Sequence, residues 1–179
     1  KNAIKDNTTL ISIMTVNNEL GSIQPIEEIN KLAKEHNILV LSDAVQALGK
    51  IEFTQELMAT DFLTFSGHKL YGPKGIGILY IKDYKTVNPL LYGGNQEMSM
   101  RSGTENTVAI AGLDEAFSLL SNTKNDSDRL TQLRQRIIDA LPTIQHDFTI
   151  NTKLDKSISN TLNLSFGTIP GDAIMMNLD

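Results

Sequence analysis

Apolar positions along the first half of the chain fall into short unbroken runs separated by polar turns. The segment 9–16, TLISIMTV, is rich in β-branched and apolar residues and leads into the polar NNELGS, as a buried strand followed by a loop would. Between 25 and 37 the period changes. Ile26, Ile29, Leu32 and Ala33 share one face of a helix, Pro25 suits its first position, and Glu27 and Glu28 near the start with Lys34 near the end favour the helix dipole. ILVLSDA (38–44), DFLTFS (61–66) and GIGILYI (75–81) predict three further strands. Strands joined by a helix and longer connections argue an α/β layer with a mostly parallel sheet and flanking helices.

The second half carries a different pattern. Residues 102–121 predict a helix, opened by a capping box of Ser102 and Glu105 and patterned through Val108, Ala111 and Leu119. The polar run 122–127 lacks hydrophobic anchors and marks a domain junction, which divides the chain into 1–123 and 124–179. A second helix buries Leu130, Leu133, Ile137 and Leu141, and TLNLSF (161–166) alternates as a half-exposed strand with Leu162, Leu164 and Phe166 on one face. GDAIMMNLD opens another helix that runs to Asp179.

Composition narrows the chemistry. Lys+Arg 16 against Asp+Glu 21, a net charge of −5, provides no basic surface for phosphates along a nucleic acid. The apolar runs are far shorter than the roughly 20 residues of a membrane-spanning helix, and KNAIKDNTTL has no signal-peptide core, so the expectation is a cytoplasmic protein without a membrane partner. With no cysteine, disulfides, thiolate metal sites and a cysteine nucleophile within this chain are excluded.

In open α/β sheets ligands collect at the carboxyl ends of parallel strands. Asn17 and Asn18 follow the first strand; Asp43 and Gln46 follow the second; Ser66, His68 and Lys69 follow the third. Carboxylate, amides, hydroxyl, imidazole and amine would face one crevice. Around Lys69, GHKLYGPKG lacks the Walker spacing and GPKGIG fails the dinucleotide fingerprint, so a nucleotide site is not supported. Taken alone, Lys69 reads first as a solvated loop cation, which is what most lysines are. A deprotonated lysine, however, attacks carbonyls, and pyridoxal phosphate requires a lysine for its aldehyde, an acid beside its ring nitrogen and donors around its phosphate. Asp43 alone also fits a cap after its strand, and Ser66 a turn residue. His36 and His146 fit a helix end and a polar turn. Arg101 could bind a carboxylate or the other subunit, or merely flank a phosphate ligand, and is not assigned a catalytic role.

Four blocks, VNNELG, SDAVQALGK, FSGHKLYGPKGIG and MRSGTEN, resemble in order and spacing the cysteine desulfurases, aminotransferase class V members of the fold-type I pyridoxal-phosphate enzymes. MRSGT favours the branch serving nitrogen fixation and general iron–sulfur assembly. The resemblance implies a fold-type I large-domain portion followed by the start of a smaller α+β domain, hence an internal fragment. It implies pyridoxal 5'-phosphate as cofactor, with Lys69 bonding its aldehyde and Asp43 its ring nitrogen. Asn18 and Gln46 match amides around the carboxylate and ring oxygen of the substrate–cofactor adduct, and Ser66 and His68 match phosphate donors. Thr104 matches a phosphate ligand reaching across a homodimer interface. The implied reaction takes L-cysteine to L-alanine and passes sulfur to an enzyme cysteine, which in the family lies beyond the residues present here, and then to a sulfur-acceptor or scaffold protein. A selenocysteine lyase or small-amino-acid aminotransferase of the same class, or a non-catalytic dimerising fragment, are the alternatives.

Overall fold

A computed structural model describes residues 1–144 and 146–178. Four strands, β1 (Leu10–Met14), β2 (Leu39–Asp43), β3 (Phe62–Ser66) and β4 (Gly77–Ile81), form one sheet in chain order. β1, β2 and β3 run parallel, whereas β4 returns antiparallel to β3, with Phe62 opposite Ile81 and Ser66 opposite Gly77. A parallel pair needs a crossover of about a dozen residues or more. The link 67–76 is too short for one, so β4 folds back. β1, expected to be buried, lies at the sheet edge, and Leu10 is 46% exposed.

Helix α1 (Ile26–Glu35) connects β1 to β2 and buries Ile26 and Ala33 against the sheet. It ends through His36, after which Asn37 takes φ 55°, the left-handed conformation that stops a helix. Ala33 packs with Ile38 and Val40, flanked by Ile4, Ile11 and Ile29. Short α2 (Gln55–Met58), unforeseen in the sequence, starts where the Thr54 hydroxyl accepts the Leu57 N–H at 3.1 Å. Strand register and pleat put Val40, Ser42 and Leu63 on one face of the sheet and Leu41, Asp43, Thr64 and Ser66 on the other. On the first face Thr15 and Ser42 share a buried hydroxyl pair at 2.7 Å, and Leu63 joins Val16, Ala44, Ala47 and Ile158 in the core.

α3 (Thr107–Ser118) is capped by Asn106, whose side chain accepts from Ala109 N at 3.2 Å, in place of the expected Ser102–Glu105 box. Its buried residues are Ala109, Leu113 and Ala116, while Val108 is 82% exposed and Ala111 and Leu119 also face outward. The rotation follows from the loop after β3. Pro73 Cγ lies 2.6 Å from where a Cβ on Gly112 would stand, and Ala116 Cβ is 3.4 Å from the corresponding point on Gly72. Only small residues let helix and loop approach so closely.

The polar run 122–127, expected as a junction, forms the end of a 3-10 turn (Leu119–Asn122) and the start of α4 (Thr123–Ala140). The stripe expected to be buried on α4 is covered only at its end. Leu141 is buried, Leu130 half-buried, and Leu133 and Ile137 are 39% and 53% exposed. Arg134 points inward instead, donating to Ile158 O at 2.8 Å and Ser157 Oγ at 3.1 Å. β5 (Phe148–Ile150), which the sequence reading missed, pairs antiparallel with β6 (Leu164–Phe166); the predicted strand is shorter than expected, with Leu162 outside it. α5 (Gly171–Asn177) follows; Asp179, expected within that helix, lies outside the described residues. The later segment docks on the loop after β1: Ile158 N donates to Gly21 O at 2.9 Å and Thr152 Oγ1 to Leu20 O at 2.7 Å.

Candidate functional site

β2 and β3 end side by side, and their last residues put Asp43 and Ser66 on the same face of the sheet, opposite α1. Asp43 is half-buried. Its Oδ1 accepts the Val45 N–H at 2.9 Å, so the carboxylate both caps the turn after β2 and keeps a second oxygen that has no hydrogen-bond partner among the described residues.

The chain beyond Asp43 winds in successive turns, with Ala47 N bonding Ala44 O at 2.9 Å and Lys50 N bonding Ala47 O at 2.9 Å. Ala44 and Ala47 are fully buried and anchor this coil to the core. Residues four apart therefore lie on one side, and Lys50 Nζ donates to Gln46 Oε1 at 2.6 Å. Lys50 escaped the reading of the sequence. The available signal was its spacing from Gln46. Burial holds its ammonium below the usual lysine pKa, and the like charge of Lys69 pushes it further in the same direction.

Lys69 sits in a 3-10 turn, Gly67–Leu70, directly after β3. The turn is stapled at its base: Gly67 N donates to Ile76 O and Gly72 N to Gly67 O, both at 3.0 Å, and Tyr71 closes it at φ 65°. Leu70 is buried while His68 and Lys69 are exposed. The loop is thus anchored by its apolar residue and its backbone, and its two basic side chains project outward. Ser66 Oγ and His68 Nδ1 are 2.9 Å apart. With a neutral imidazole, either direction of that bond leaves one proton, on His68 Nε2 or on Ser66 Oγ, available to an anion.

Two predicted residues make no hydrogen bond to this cluster among the described residues. Asn18 is exposed in the loop after β1, where its neighbour Asn17 makes the turn by accepting from Glu19 N at 3.0 Å and Leu20 N at 2.8 Å. Thr104 is exposed in the loop before α3, and no hydrogen bond among the described residues links it to Asp43, Ser66 or Lys69. Arg101 donates to the Ser102 carbonyl in that same loop. A cleft of ≈250 Å³ lined by Thr15, Pro25, Glu27 and Thr54, and a groove beside Leu133, Ile137 and Leu141, do not include Asp43 or Lys69.

The family model for aminotransferase class-V matches residues 1–179. The chain is 42% identical over 182 residues to "Cysteine desulfurase IscS" of Clostridium botulinum (strain Hall), covering 100% of this chain and 46% of that protein. Among solved structures, a "NifS-like protein" superposes with a TM-score of 0.91 at 38% identity, over 99% of this chain and 49% of that one. "SspA in complex with cysteine" superposes with a TM-score of 0.79 at 37% identity, over 99% and 49%. The chain spans about half the length of these relatives. Proteins of this class are in general pyridoxal-phosphate-dependent.

Proposed function

The chain belongs to the aminotransferase class-V family, and on that premise we propose that it is part of a pyridoxal-phosphate-dependent cysteine desulfurase. The observation that carries the reading is the convergence at adjacent strand ends: a half-buried carboxylate, Asp43, on β2, and an anchored turn presenting Ser66, His68 and Lys69 on β3. That donor set suits the cofactor. When bound, pyridoxal phosphate supplies an aldehyde and an electron-withdrawing ring.

Lys69 offers the amine that bonds the aldehyde. Asp43, with one oxygen held by Val45 N, offers the other to the ring N–H and keeps that proton in place. The proton left over by the Ser66–His68 pair would be available to the phosphate. Gln46 and Asn18 supply amides to the ring oxygen and the substrate carboxylate, and Thr104 supplies a phosphate contact across a homodimer interface. The substrate is L-cysteine: its C–S bond and the S–H bond of an enzyme cysteine outside these residues would break, the carbon keeping the C–S electron pair and taking up a proton to give L-alanine, and the two sulfurs would join as an enzyme persulfide. From that cysteine the sulfur passes to an acceptor or scaffold protein for iron–sulfur assembly, in the cytoplasm. Residues 1–123 belong to the cofactor-binding large domain and 124–179 open the small one.

The test is borohydride reduction of the yellow full-length protein followed by peptide mapping. The cofactor is expected on the peptide containing Lys69. Label at Lys50 or Lys74 overturns the assignment.

A further inference from the structure

A primary amide can turn either end toward a ligand, and which end matters when the ligand atom is an acceptor. Gln46 does not have that choice. An ammonium has three N–H donors and no acceptor, so the 2.6 Å bond from Lys50 Nζ must meet the amide oxygen, which fixes the orientation of the amide and turns its Nε2 protons to the other side. The two residues ride on the coil held by buried Ala44 and Ala47, and Lys50 N and Ile51 N both bond Ala47 O, at 2.9 and 3.0 Å. Gly49, next to Lys50, packs on the Lys69 turn, with Leu70 Cδ2 3.8 Å from where a Cβ on Gly49 would stand, and the like charge of Lys69 disfavours the protonated form of Lys50. A half-buried ammonium is electrostatically unfavourable in the fold, and among the described residues its bond to Gln46 is the hydrogen bond that it makes.

We propose that Lys50 is a positioning residue for the cofactor: by engaging the amide oxygen of Gln46 it fixes the orientation of that amide, which would present its N–H donor to an oxygen acceptor on the bound ring. The proposal rests on the cofactor reading above. Lys50 touches neither cofactor nor substrate; it acts through Gln46.

The experiment is a double-mutant cycle on the full-length protein, read by the dissociation constant for pyridoxal phosphate and by the visible absorption maximum of the bound form. Lys50→Met and Gln46→Ala are each expected to loosen the cofactor about tenfold and to move the absorption maximum in the same direction. The double variant should match Gln46→Ala within about twofold. Lys50→Arg, which still donates to the amide oxygen, should restore both readouts. Additive losses would mean that Lys50 acts as a general charge, and would overturn the proposal. Gln46→Glu provides an arm that keeps the partner of Lys50: it presents an oxygen where the amide presents N–H, so it should bind cofactor no better than Gln46→Ala. Wild-type affinity in Gln46→Glu would show that no donor is needed there. Borohydride labelling of the wild type, run alongside, separates the two levels. No label on Lys69 overturns the functional reading and this proposal with it; label on Lys69 with additive variants overturns this proposal alone.

Discussion

Gly67→Ala tests whether the turn beneath Lys69 is held by close backbone approach. An added Cβ would stand 2.8 Å from Ile76 Cγ2, 3.0 Å from Pro73 O and 3.3 Å from Ile76 O. The Ile76 methyl can swing away, but the two carbonyls belong to the backbone that closes the loop, and Ile76 O already accepts the Gly67 N–H at 3.0 Å. Relief therefore requires the strand-to-turn junction to open by several tenths of an ångström. Overpacking of this kind costs about 1–3 kcal/mol. The displacement falls two residues before Lys69, and a misplacement of about 1 Å in a reacting group is worth on the order of 10²-fold in rate. Gly75→Ala is the matched control. Nothing lies within 4 Å of its added Cβ, but its φ of +83° strains any side chain, so it should lose roughly 1 kcal/mol by conformation alone and leave Lys69 where it is. Urea unfolding of full-length variants gives the stability change, and, under the function proposed above, cofactor retention with alanine production gives the functional one. If Gly67→Ala unfolds at the wild-type midpoint and turns over cysteine at the wild-type rate, close packing under the turn does not position Lys69.

Asp43→Asn keeps the acceptor for Val45 N but removes the charge, so stability should hold within about 0.5 kcal/mol while alanine production falls on the order of 10²-fold; near-normal turnover would reduce Asp43 to a cap. Arg134→Met removes the donors to Ile158 O and Ser157 Oγ and should cost about 2 kcal/mol in urea unfolding, loosening 152–161 from the loop after β1; an unchanged midpoint would show that the docking rests on Ile158 packing and the bonds to Leu20 O and Gly21 O without Arg134. Lys50 has a folded pKa below its unfolded value of 10.5, so below both values its protonated form carries a constant destabilisation. That penalty disappears as pH rises from the folded pKa toward 10.5, so wild type should gain stability relative to Lys50→Met across that alkaline window. A difference independent of pH would contradict the burial and the Lys69 repulsion.

Local periodicity determined much of this protein. Runs of β-branched and apolar residues specified β1 to β4 within a residue or two, and the spacing of Ile26, Ile29 and Ala33 specified α1, because these patterns depend on neighbours a few positions away. The placement of Asp43 and Ser66 at adjacent strand ends was legible for the same reason, because in a parallel pair the carboxyl ends lie side by side. What depends on distant partners was not legible. The return of β4, the pairing of β5 with β6, the inward Arg134 and the small-residue face of α3 were decided by which surfaces met. Lys50 is the clearest instance. Its spacing from Gln46 is visible in the sequence, but whether the coil brings that ammonium to the amide oxygen and within range of Lys69 was decided by Ala44 and Ala47 locking into the core, because a hydrogen bond is directional and its geometry is set by packing.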